Sequence, residues 1–125
     1  MVYSCMIDGW SCAMKEFELD EFEPLLLEGI LREISLLESL PYHRNLVRYL
    51  FHQTTENKVR LFMAKYATNL TNILKRMRKE VKFFSEYEIV RHAADLIRGI
   101  DVLHQHNIMH RDLKVNTTYY KPNSC

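Results

Sequence analysis

A chain of 125 residues holds one domain at most, and 47% hydrophobic with 26% charged residues is the make-up of a folding sequence, not a disordered one. A formal charge of +1 leaves no electrostatic footprint for nucleic acid. The three cysteines form no C-x-x-C, and no run reaches the ~18 apolar residues of a membrane span.

The first strands are expected at Val2–Ile7 and Trp10–Phe17, because Asp8-Gly9 between apolar runs signals a hairpin. Past Pro24 the period becomes helical: Leu26, Ile30, Ile34 and Leu37 recur at helical spacing, and Pro41 ends the run. Strands are expected over Leu46–His52 and Val59–Tyr66, split by the polar stretch Gln53–Lys58, and a short helix over 70–79. The longest helix should run from Glu86 to Gln105. Ser85 and Glu88 form a capping box at its start, with Phe84 and Ile89 as a hydrophobic staple. Its apolar face would be Ile89, Ala93, Leu96, Ile97, Ile100 and Leu103. Strands, helix, strands, then helices make an α+β plan.

On a wheel with Ile30 at 0°, Leu26, Leu37 and Leu40 fall at about −40°, −20° and −80°, and Glu33 falls among them at about −60°. A carboxylate on a buried side needs a cation. Lys15, on a neighbouring strand, is the natural partner; the other reading puts Glu33 at the rim, reaching solvent. Glu28 and Arg32 lie on the far side as ordinary i,i+4 partners.

Chemistry concentrates in His110-Arg111-Asp112-Leu113-Lys114. An Asp within reach of a hydroxyl can orient it and take its proton, and a Lys two residues on can neutralise a phosphoryl group. The triplet alone is a weak signal. Three other runs keep company with it: Cys12-Ala13-Met14-Lys15 at a strand end, His43-Arg44-Asn45-Leu46-Val47 after the first helix, and Ile100 to Ile108 leading into the loop. In this order and spacing the chain resembles a eukaryotic-type protein kinase domain over roughly residues 2–116.

The resemblance implies an antiparallel N-lobe sheet with its helix, then the first helices and catalytic loop of the C-lobe. It divides the chain into 1–67 (N-lobe and hinge), 68–117 (start of the C-lobe) and a non-family tail, 118–125. It implies ATP and Mg²⁺ as cofactors and a protein substrate with Ser/Thr hydroxyls, since Lys114 two places after Asp112 is usual in Ser/Thr kinases. Lys15 would meet the α- and β-phosphates with Glu33 as its brace. Val2 and Ala13 would pack on adenine, and Lys65 to Ala67 would form the hinge. Ala64, or Met63 one residue earlier, would gate the back pocket. Asp112 would orient the substrate hydroxyl and Lys114 would support the γ-phosphate. His104 and His110 take packing roles, so no metal site is expected from the histidines. Membrane and nucleic-acid partners are not expected, and the first twenty residues lack the apolar core of a signal peptide, so a cytoplasmic setting is.

Several family features do not occur. The Gly-rich loop would lie before Val2, no D-F-G is found, and the metal-binding Asn position is Thr117, with Asn116 one place early. Phosphoryl transfer rests on positioning and charge neutralisation. The expected function is therefore a fragment of a Ser/Thr protein kinase, inactive as the isolated chain; the alternative is a non-catalytic kinase-like binding or decoy module. The apolar stripe of the long helix predicts poor solubility alone.

Overall fold

The computed structural model describes residues 2–19, 24–114 and 118–120. In chain order these form β1 (Val2–Ile7), β2 (Trp10–Glu18), α1 (Pro24–Ser39), β3 (Tyr49–Thr54), β4 (Lys58–Ala64), β5 (Thr68–Asn69), α2 (Leu70–Lys79), α3 (Glu86–Gln105) and β6 (Tyr119–Tyr120). Two compact units result: residues 1–42 with 47–65, and residues 43–46 with 66–125. The α+β plan expected from the sequence is the one observed.

The first unit is a four-stranded antiparallel sheet in the order β1-β2-β4-β3, carrying α1. Asp8 and Gly9 turn the first hairpin with φ values of 49° and 82°. Two successive positive φ angles define the type I′ turn, whose twist matches the strands it joins. Opposed residues of a sheet share a face and successive ones alternate. Register therefore puts Ala13, Lys15, Phe17, Val59, Leu61 and Met63 on one face. Ile30 and Ile34 of α1 bury against Val59 and Leu61 of that face, ringed by Phe17, Leu19, Leu27, Leu37, Tyr49 and Met63.

The inward side of α1 is rotated from the one expected. Leu27 packs on the core, whereas Leu26 is exposed. Leu27 and Ile34 fall at about +60° and +40° on the same wheel, so the buried stripe centres near +20°. A polar link also holds the end of α1. The Tyr49 hydroxyl donates to Glu38 Oε1 at 2.8 Å and lies 2.8 Å from His52 Nδ1. Burial, then the Glu38 carboxylate, pushes the Tyr49 hydroxyl up to about 12, so it stays a donor.

The outer face of the sheet carries a charge cluster. Glu16 accepts from Lys58 Nζ at 2.9 Å and from Arg60 Nε at 2.7 Å. Those two cations, Lys58 first, hold the Glu16 carboxyl below its ordinary value of 4.5. A depressed carboxyl contributes stability that is complete above its unfolded pKa and is lost as pH falls through the folded one. Acid should therefore weaken the wild type more than Glu16→Gln. Urea midpoints for both proteins at neutral pH and in the acid range check this, and equal losses would contradict it.

The second unit begins with a two-stranded ladder. Thr68 pairs with Tyr120 and Asn69 with Tyr119, so the stretch expected as a non-family tail starts with a paired strand. Asn69 then caps α2, its side chain accepting from Asn72 N at 3.0 Å. Arg76, Arg78 and Lys79 occupy the last turn, where cations complement the helix dipole. The capping box of α3 forms as expected, with Glu88 N donating to Ser85 Oγ at 3.2 Å and Ser85 N to Glu88 Oε2 at 2.8 Å. The Phe84 side chain meets the His92 ring edge-on at 5.2 Å, while Ile89, its expected staple partner, is exposed.

The buried side of α3 is also rotated from the expected apolar face. The helix presents Gly99, its buried position, to the 43–46 segment. His92 lies within about 20° of Gly99 on the wheel, whereas Ile89 falls between Leu96 and Ile100 and is exposed in the first turn. Leu96, Ile100 and Leu103 are half-buried, but Val90 and Ile97 remain exposed on the far side.

Candidate functional site

Lys15 sits at the register position where β2 faces Val2 of β1 and Leu61 of β4. Its Nζ lies 3.7 Å from Glu33 Oε1 of α1 and 4.7 Å from the centre of the Phe17 ring. The expected pair is therefore formed within the first unit. Its setting differs from a buried pair: the Lys15 and Glu33 side chains are 35% and 52% exposed. Glu33, at about −60°, lies roughly 80° from the centre of the buried stripe, which is the rim of the helix face. An exposed pair of this kind adds little stability, on the order of 0–1 kcal/mol. It holds the Lys15 ammonium over Phe17, on the sheet face that Val2 and Ala13 also share.

Register puts Met63 and Ala64, the two residues expected to gate the back pocket, on opposite faces of the sheet. Met63 opposes Ala13 and packs on the α1 core, so it shares the Ala13–Lys15 face. Ala64 opposes Cys12 and faces the other way, its N–H donating to the Arg48 carbonyl at 2.9 Å. The Lys65 Nζ donates to Ser4 Oγ at 2.7 Å. Lys65 closes the first unit and Ala67 lies in the second. Residues 43–46 also belong to the second unit.

In that second unit the loop after α3 is held by local bonds. Ile108 N donates to the Leu103 carbonyl at 2.9 Å, closing the helix. Arg111 adopts a positive φ of 62°, a conformation uncommon for a residue with a Cβ. The Asp112 N–H donates to His110 Nδ1 at 3.2 Å, which ties the loop to itself across that strained residue. Asp112 Oδ2 lies 3.1 Å from Lys114 Nζ, and the Asp112 side chain is 70% exposed. Carboxylate and ammonium thus stand side by side, both at least half exposed. Asn116 and Thr117 lie outside the described residues.

The family model of the protein kinase domain matches residues 1–119. The chain belongs to the protein kinase family. Similar proteins include the Kinase and exchange factor for Rac B of Dictyostelium discoideum, 33% identical over 115 residues, which are 90% of this chain and 10% of that protein. MAP3K epsilon protein kinase 1 of Arabidopsis thaliana is 32% identical over 111 residues, 86% of this chain and 8% of its own length. Mitogen-activated protein kinase kinase kinase YODA of the same plant is 30% identical over 109 residues, 85% of this chain and 12% of its own. The chain spans about a tenth of the length of these curated relatives. The four-stranded sheet with α1, followed by α2 and α3, is consistent with a kinase N-lobe and part of a C-lobe.

Protein kinases generally use ATP and Mg²⁺, and the two fit this chain differently. The face carrying Val2, Ala13, Met63 and Lys15 combines apolar cover with one cation, a fit for a nucleotide and its phosphates. A Mg²⁺ ion needs a set of oxygen ligands. Among the described residues no group of three or more His, Cys, Asp and Glu gathers. No helix is long and apolar enough to cross a membrane among the described residues.

Sequence reasoning missed two features near this site. The Glu38–Tyr49–His52 link that seats α1, and so Glu33, joins residues that are polar at exposed-looking positions. The close approach of residues 43–46 to α3 had one available signal, Gly99 inside an otherwise good helix.

Proposed function

We propose that the chain forms the ATP-facing sheet and the catalytic loop of a protein kinase that phosphorylates Ser/Thr hydroxyls. The observation that carries this reading is the Lys15–Glu33 pair at 3.7 Å, on the sheet face shared with Val2 and Ala13. In it, Lys15 holds the α- and β-phosphates of ATP, and Glu33 fixes the Lys15 side chain against the rotamer freedom a lysine otherwise keeps. Val2 and Ala13 cover the adenine, Met63 rather than Ala64 closes the back of the pocket, and the backbone of Lys65 to Ala67 forms the hinge. ATP supplies the phosphoryl group. Asp112 accepts a hydrogen bond from the substrate hydroxyl and takes its proton, and Lys114 balances charge on the phosphoryl oxygens. Lysine at 114 is what favours Ser/Thr substrates.

Thr117 stands where the family places its metal-binding Asn and no D-F-G occurs in the sequence, so transfer by residues 1–125 alone is expected to be negligible. Binding is the informative measurement. Titration with a fluorescent ATP analogue should show binding by the wild-type chain and a loss of about 10–100-fold in Lys15→Met. That range corresponds to one charge-assisted contact of about 1.5–3 kcal/mol. Equal affinities, or no binding by the wild type, would sink the reading.

A further inference from the structure

Cys5 and Cys12 stand directly opposite each other on β1 and β2. Because the Asp8-Gly9 turn is type I′, Ile7 and Trp10 beside it exchange both backbone hydrogen bonds. Two residues along, Cys5 and Cys12 form the next hydrogen-bonded pair, with Cα atoms about 5.5 Å apart. That separation lies inside the window of about 4.4–6.8 Å that a disulfide spans. Opposed residues share a face, so both thiols leave the sheet on the side away from α1. Each is already turned towards the other strand: Cys5 Sγ lies 3.6 Å from the Cys12 carbonyl, and Cys12 Sγ lies 3.7 Å from the Cys5 carbonyl. Cys12 is buried, whereas Cys5 is half-buried and is the sulfur a reagent reaches first.

We propose that Cys5 and Cys12 form a modification site, a dithiol that a small-molecule disulfide converts reversibly into a cross-strand bridge. The Cys5 thiolate attacks one sulfur of the small disulfide, expels its first thiol and becomes a mixed disulfide. The Cys12 thiolate then attacks the Cys5 sulfur and expels the second thiol. Two electrons pass from the cysteine pair to the small disulfide, and the two cysteine protons end on the released thiols.

Geometry makes the bridge labile. Cβ atoms of a directly opposed pair lie about 4.5–5.5 Å apart, but a disulfide wants about 3.5–4.5 Å. Closure must draw the strands together, and a strained disulfide is more easily reduced. Burial first, then the neighbouring Cys12, pushes the Cys5 thiol up to about 11, against the pull of Lys65. A scarce thiolate keeps idle oxidation slow. Lys15 follows Cys12 by three residues on the same strand, so the bridge would set strand spacing beside it; the chemistry itself does not depend on nucleotide binding.

The test uses the whole chain carrying Cys125→Ser, which removes the third thiol. A second version adds Ser4→Cys and Cys5→Ser, which shifts the outer thiol by one residue. Separation in sequence barely changes, but the side chain moves to the opposite face of the sheet. Both proteins are incubated with oxidised glutathione, quenched in acid and analysed by peptide mass spectrometry. In native buffer the Cys5–Cys12 bridge should form at least about tenfold faster than its displaced counterpart, and in concentrated urea the rates should converge. Equal rates in native buffer, or a glutathione adduct on Cys5 that never closes to a bridge, overturns the proposal.

Discussion

Replacing Leu61 by alanine should lower the unfolding free energy of the first unit by about 2–5 kcal/mol. Leu61 is 1% exposed, at the centre of β4, with Ile30 and Ile34 of α1 against it. Its neighbours are held by a four-stranded ladder on one side and a helix on the other, so the space left by the lost atoms cannot collapse fully. A loss of this size is a large share of the roughly 5–15 kcal/mol by which domains are stable. The midpoint of denaturant unfolding, followed by circular dichroism, measures it. Leu36→Ala is the control, because Leu36 is exposed and should cost well under about 1 kcal/mol. Similar losses at both positions would mean that α1 does not pack on β4 as described.

The second large effect is expected at Gly99. A Cβ built there would stand 2.7 Å from the Asn45 carbonyl oxygen, closer than such atoms approach. The obstacle is backbone, so relief requires moving the 43–46 segment or α3. Overpacking of this kind costs about 1–3 kcal/mol, against a gain of about 1 kcal/mol from replacing a helical glycine. Gly99→Ala should therefore be net destabilising. Gly29, inside α1, gives the opposite sign: nothing lies within 4 Å of its Cβ position. There the same substitution should stabilise by about 0.5–1 kcal/mol. Thermal unfolding of the two variants beside the wild type decides the matter, and shifts of the same sign would refute the Gly99 contact.

Local features of the fold were legible in the sequence because they depend on residues close together. The Asp8-Gly9 hairpin, the helix from Glu86 to Gln105 and the Ser85–Glu88 box each follow from patterns within a few positions. Features set by rotation about a helix axis were not. Spacing alone does not distinguish a stripe centred on Leu26 from one centred on Leu27, and that offset decides whether Glu33 is buried or at the rim. The strand ladder likewise separates Met63 from Ala64 by pairing them with Ala13 and Cys12, which needs the partner strand to be known. The helical wheel made Lys15 and Glu33 a candidate pair, and the family resemblance added their role and that of Asp112. Of these, the structure brings Lys15 and Glu33 together and sets Asp112 beside Lys114.

The path of the chain through its two units has a practical corollary. Residues 43–46 are grouped with the second unit although the first flanks them on both sides, so the polypeptide passes between the units three times. No single cut, by protease or by primer, therefore yields two whole pieces. Cleavage after Lys65 would strand the carbonyl that Gly99 accommodates on the wrong half. Dissection of the gene into separately expressed halves has to carry those four residues across.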